Sequence, residues 1–110
     1  MRRSILIIDD EAPIRKSLSG ALLDEGFDVS TAESGEAALN LLREKPQDLV
    51  LLDIWMSKLD GLETLEHLRR EHPETLVVMM SGHGTIDTAV KATKNGAYDF
   101  LEKPISLERL

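Results

Sequence analysis

Two adjacent carboxylates, Asp9 and Asp10, with Glu11 beside them, directly follow one apolar run, and Asp53 directly follows another. Ser81-Gly82 comes after a third apolar run and Lys103-Pro104 after a fourth segment of the same kind. Singly, each has an ordinary reading: an Asp-Asp pair caps a turn or a helix, and an acid after a strand sits in a loop. Together they describe a site. Two unit charges about 4 Å apart repel by roughly 4 kcal/mol at an effective dielectric near 20, so Asp9, Asp10 and Asp53 would not be gathered for stability. A hard divalent cation removes the conflict, and Mg²⁺ takes oxygen ligands while keeping several waters. The same ion bridges to a phosphoryl oxygen and neutralises charge as it develops. A carboxylate is a competent nucleophile toward phosphorus. Lys103 supplies a mobile point charge and Ser81 a hydroxyl donor for the phosphoryl oxygens.

Such a site needs elements that bring four separate segments to one edge. Ile5-Leu6-Ile7-Ile8, Leu49-Val50-Leu51-Leu52 and Leu76-Val77-Val78-Met79-Met80 are continuous apolar runs, the pattern of strands buried on both faces of a parallel sheet. Phe27, Val29 and Thr31 alternate with Asp28 and Ser30, which predicts a strand with one wetter face, at an edge. Tyr98 to Leu101 predicts a short fifth strand. Between these lie helical stripes: Ile14, Leu18, Ala21 and Leu22, with Pro13 in the first turn and Gly26 as the stop; Ala37, Ala38, Leu41 and Leu42 behind a Ser34 cap; and Leu62, Leu65 and Leu68 after Gly61. Thr85 caps a further helix carrying Ile86, Ala89, Val90 and Thr93, and Ser106 opens a last helix of barely one turn before Leu110. Alternation of this kind implies right-handed βαβ units and a parallel sheet covered on both faces. Ligands of such sheets bind beyond the carboxyl ends of the strands, where all four segments fall.

The 110 residues fit one domain, residues 1–110, with a core of its own. With no cysteine, neither a disulfide nor a thiolate metal site is open to it. A net charge of −7 repels phosphate backbones and argues against direct nucleic-acid binding. No apolar run has the length of a membrane span, and the stretch after Arg2-Arg3 is too short for a signal peptide, so the expected setting is the cytoplasm.

These residues resemble the receiver domains of two-component response regulators. Ile5 to Glu11 resembles the family's first strand and acidic pocket, and Leu51 to Met56, ending in Leu59-Asp60-Gly61, its phosphoacceptor segment. Met80-Ser81-Gly82 and Leu101-Glu102-Lys103-Pro104 match its two remaining signatures. The resemblance implies a flavodoxin-like, doubly wound, five-stranded sheet of order 2-1-3-4-5 with helices on both faces, the last one cut short here. It implies Asp53 as phosphoacceptor, Mg²⁺ on Asp10, Asp53 and the backbone carbonyl of Trp55, with Asp9 reaching it directly or through water, and Ser81 and Lys103 on the phosphoryl oxygens. Phe100 falls at the position of the aromatic switch. The donor would be a partner histidine kinase, and the readout a conformational change, commonly a homodimer formed through the fourth helix and fifth strand. Ser81 to Thr85 with Gly96 to Phe100 is most similar to the nitrogen-regulation type, which carries a sigma-54-activating ATPase and a DNA-binding domain after the receiver. Two departures stand out: Ser57 where proline is common, and Phe100, without a hydroxyl, where tyrosine is common.

Rival chemistries fit less well. A phosphatase of the haloacid dehalogenase type needs a second acid two residues after the nucleophile, and that place is Trp55. A flavodoxin-like FMN binder needs a neutral phosphate loop after the first strand, where Asp9-Asp10-Glu11 would repel the phosphate. An interaction module that has lost phosphorylation would have little use for the intact acid, hydroxyl and lysine set. The resulting expectation is a switch rather than an enzyme. His67 and His72 are expected on solvated surface of the third helix, and His83 in a loop near the site.

Overall fold

The computed structural model of the protein describes residues 3–53, 61–81 and 99–102, with side chains at all of these except 61, 62, 81 and 99–102. The elements run β1 (Ser4–Ile8), α1 (Ala12–Asp24), β2 (Asp28–Ala32), α2 (Gly35–Glu44), β3 (Leu49–Asp53), α3 (Gly61–Glu71), β4 (Leu76–Ser81) and β5 (Asp99–Glu102). All strand pairings are parallel and the sheet order is β2-β1-β3-β4-β5. The expected doubly wound parallel α/β fold is the observed one. The expected helix after Thr85 and the short last helix lie outside the described residues.

The uniformly apolar strands divide by parity. Leu6, Ile8, Val50, Leu52, Val77 and Met79 face α2 and α3, where Ala38, Leu39, Leu42, Leu65 and Leu68 meet them. Ile5, Ile7, Leu51, Val78 and Met80 face the other way, toward Leu18 and Leu22 of α1. A fully buried leucine or isoleucine contributes about 1.5–3 kcal/mol relative to exposure, so these two clusters hold the sheet between its helices. The wetter strand β2 is an edge, as its alternation predicts.

Helix ends follow local chemistry. The Ser34 hydroxyl accepts from the Ala37 amide at 3.1 Å and caps α2. Gly26, at φ +92°, closes α1: its amide donates to the Leu23 carbonyl and the Phe27 amide to the Leu22 carbonyl. That pair of bonds requires a left-handed residue, which glycine supplies without a Cβ penalty.

Two expectations need correction. In α2 the inward positions are Gly35, Ala38, Leu39 and Leu42, while Ala37 and Leu41 are only partly buried. Apolar residues span such a wide arc of this helix that periodicity does not fix its rotation. His72 is not plainly solvated: its Nε2 is buried without a hydrogen-bond partner, because the chain folds back there to enter β4. His67 is half-exposed and lies 3.7 Å from Glu71.

At the amino end of the sheet, Asp48 clasps Ser4. Its carboxylate accepts from the Ser4 amide at 2.9 Å and from the Ser4 hydroxyl at 3.2 Å, while its own amide donates to the Ser4 carbonyl. The Ser4 amide above all, helped by the Ser4 hydroxyl and the Arg3 charge, holds this carboxyl below its ordinary value against the opposing effect of desolvation. A depressed folded pKa stabilises above the unfolded pKa, and that stabilisation is lost as pH falls through the folded value. Asp48→Ala is therefore expected to lower the melting temperature at neutral pH. The gap from wild type should close as pH falls below about 4. Melting curves across the acid range check it, and a gap that is constant with pH would refute the carboxylate's part.

Candidate metal and phosphoryl site

The strand order reverses direction at β1. From its carboxyl end the chain leaves through α1 toward β2 on one side, while β3 lies on the other. Helix α1 after β1 and helix α3 after β3 pack on opposite faces of the sheet, and open parallel sheets bind ligands at such a reversal. Ile8 pairs with Leu52, and one further step in that register sets Asp9 beside Asp53. Asp53 pairs with Met80 in turn, so the backbone of Ser81 stands one residue beyond it on the neighbouring strand.

The carboxylates of Asp9, Asp10 and Asp53 each offer an oxygen, and these three oxygens lie within 4.8 Å of one another. Asp9 is fully buried and Asp53 is 3% exposed, whereas Asp10 faces solvent. Buried carboxylates are costly unless paired or bound to a cation. Local bonds fix the β1–α1 turn around them. The Asp9 amide donates to the Ala32 carbonyl at 3.2 Å. One Asp9 carboxylate oxygen accepts from the Glu11 amide at 2.9 Å. The Asp9 carbonyl accepts from Arg15 Nη1 at 2.7 Å. Residue type and spacing had not singled out Arg15. The available signal is a cation at the end of the first turn of the helix that starts from the acidic loop.

Residues 5–110 match the response regulator receiver domain family. The chain is a response regulator receiver domain. It is similar to receiver domains of the nitrogen-regulation type. It is 51% identical over 112 residues to the nitrogen assimilation regulatory protein NtrX of Azorhizobium caulinodans, a match covering 100% of this chain and 25% of that protein. The receiver domain thus spans a quarter of that relative's length. A crystal structure of the receiver domain of NtrX from Brucella abortus superposes with a TM-score of 0.90 at 48% identity, over 96% of this chain and 89% of that one. A solution structure of the beryllofluoride-activated NtrC4 receiver domain dimer gives a TM-score of 0.90 at 42% identity, over 96% of this chain and 88% of that one.

Of the site residues expected from sequence, the receiver domain brings Asp9, Asp10 and Asp53 together and sets the Ser81 backbone next to them. Phe100 lies on β5, opposite Met79. Trp55, Lys103, Ser57 and His83 lie outside the described residues. The acidic cluster suits Mg²⁺ by chemistry: every donor is a hard oxygen, there is no sulfur or nitrogen among them, and the exposed side at Asp10 leaves room for the waters Mg²⁺ retains. Among the described residues no helix is long and apolar enough to cross a membrane.

Proposed function

We propose that this receiver domain is a phosphorylatable switch that takes a phosphoryl group from a partner histidine kinase onto Asp53 in a Mg²⁺-dependent reaction. The observation that carries the reading is the convergence of Asp9, Asp10 and Asp53 at the sheet's switch point. Asp53 is the nucleophile: its carboxylate oxygen bonds to phosphorus as the phosphorus–nitrogen bond of a phosphohistidine breaks, and the departing imidazole nitrogen keeps the electron pair and takes up a proton. Asp10 and Asp53 would hold the ion with the Trp55 carbonyl, and Asp9 would support it directly or through water. When bound, Mg²⁺ offsets the charge of the transferring phosphoryl group. Ser81 and Lys103 contact the remaining phosphoryl oxygens.

Phosphorylation replaces a charge of −1 by roughly −2 and adds acceptor oxygens. Ser81 moves toward them, and Phe100 turns inward by packing alone, since it has no hydroxyl. The two states pre-exist and the phosphoryl group shifts their populations. The activated NtrC4 receiver is a dimer, which supports a homodimer as the readout here; the face proposed for it is the fourth helix and fifth strand. The output is transcription, through domains beyond this receiver, and the setting is the cytoplasm; the domain itself binds neither nucleic acid nor membrane and is not an enzyme with turnover.

Incubation with a small acyl phosphate or phosphoramidate tests the reading. Intact-mass spectra are expected to show one phosphoryl group per chain with Mg²⁺, none with EDTA, and its release by hydroxylamine, as an acyl phosphate requires. Modification that is indifferent to Mg²⁺, or sustained turnover of a phosphate ester, would overturn it.

A further inference from the structure

The β1–α1 turn carries Asp10, the exposed member of the acidic cluster, and the bonds of that turn set where its carboxylate stands. The chain leaves the sheet at Asp9 and enters α1 at Ala12, so the Asp9 carbonyl stands where strand gives way to turn. Arg15 reaches back from the end of the first turn of α1 and donates to that carbonyl at 2.7 Å. The Arg15 amide also donates to the Glu11 carbonyl at 3.1 Å, the first bond of the helix. Asp10 is thus enclosed in a short ring of chain closed at both ends, by Asp9 on the sheet and Arg15 on the helix. Within the ring the Glu11 amide donates to an Asp9 carboxylate oxygen at 2.9 Å, a bond on a carboxylate of the cluster itself. Pro13, inside the ring, has no amide to add another.

From this geometry we infer that Arg15 is a positioning residue for Mg²⁺: by latching the Asp9 carbonyl it presets the turn that presents Asp10 to the ion. The inference rests on the reading of Asp9, Asp10 and Asp53 as the Mg²⁺ pocket. It makes a claim about sign. A cation near a cation site weakens metal binding through charge alone, so losing Arg15 should tighten Mg²⁺ if charge were its whole effect. A latch predicts the reverse. Groups that orient metal ligands change affinity by about 10–100-fold when removed.

Titration calorimetry of the full chain with MgCl₂ decides between these, with far-UV circular dichroism in EDTA as the check on folding. Arg15→Met keeps the aliphatic stem and removes donor and charge; it is expected to bind Mg²⁺ about tenfold more weakly than wild type. Arg15→Lys keeps a charged donor on a long stem and is expected to recover most of the loss. Arg15→Leu, also without donor or charge, carries the same test, with the same weakening expected, should the methionine variant not fold. Affinity equal to or tighter than wild type in the folded neutral variant, or no recovery with lysine, overturns the latch while leaving the pocket intact. If the wild-type chain itself takes up no Mg²⁺, the pocket reading fails and the latch with it.

Discussion

Asp53→Asn is expected to yield a folded domain that no small phosphodonor modifies. An amide has nearly the shape of the carboxylate, so the end of β3 keeps its packing beside Met80, and one of three mutually repelling charges disappears. The amide lacks the anionic oxygen that attacks phosphorus and is also a poorer ligand for a hard cation. Loss should therefore be essentially complete rather than graded. Trp55, the one tryptophan, two residues from Asp53 in sequence, offers a direct reading. Wild type is expected to change its fluorescence with Mg²⁺ and change it again with beryllofluoride, whereas the variant should show no second change. Intact-mass spectra give an independent measure. A variant that still acquires a hydroxylamine-labile phosphoryl group would place the acceptor on another side chain, with Asp10 the first to examine because it is exposed beside Asp53.

The fold and the acidic half of the site were legible for a common reason: burial on both faces leaves strands apolar without interruption, so each strand's end is marked by its first charge. Ile8 gives way to Asp9, and Leu52 to Asp53, and the register of β1 with β3 brings those same residues side by side. Gly26 and Ser34 were legible because a left-handed cap and an N-cap each ask for a particular residue type. What sequence did not disclose depends on rotation or on the return of the chain. The inward face of α2 sits at Gly35, Ala38, Leu39 and Leu42 because packing against the sheet, not periodicity, selects among the apolar positions of a broad stripe. Gln47 is buried, a polar side chain beside Thr75, whose hydroxyl donates to the Gln47 carbonyl across the start of β3. Nothing in the residue types announced that bond, nor the burial of His72 Nε2. Arg15 belongs with these: a surface cation by type, it becomes part of the site only because α1 begins directly from the acidic turn.

A second large effect is expected at Asp10, and its sign should depend on the metal. With EDTA present, the three carboxylate oxygens lie within 4.8 Å and no ion offsets their charge. Each pair repels by roughly 1–3 kcal/mol across effective dielectrics from water to protein surface, with the exposure of Asp10 favouring the lower figure. Asp10→Asn removes two of the three pairs without touching the core, so the metal-free variant should melt above wild type. A gain of 1 kcal/mol corresponds to roughly 4–8 °C in a small domain. Saturating Mg²⁺ should reverse the relation between the two. A ligand at a hundred times its dissociation constant stabilises the folded state by about 2.7 kcal/mol, and wild type should receive that gain in full. The variant, lacking a charged ligand on the exposed side of the pocket, should receive little of it. Melting curves of both chains in EDTA and across a MgCl₂ series give four numbers for one argument. Were the variant less stable than wild type without metal, the carboxylates would not be in conflict, and the physical case for a cation at this edge would fall. Were Mg²⁺ to raise both melting temperatures equally, the ion would be held without Asp10. The reversal is the distinctive outcome, because neither a general loss of packing nor a nonspecific effect of salt produces a variant that is more stable without Mg²⁺ and gains less from it.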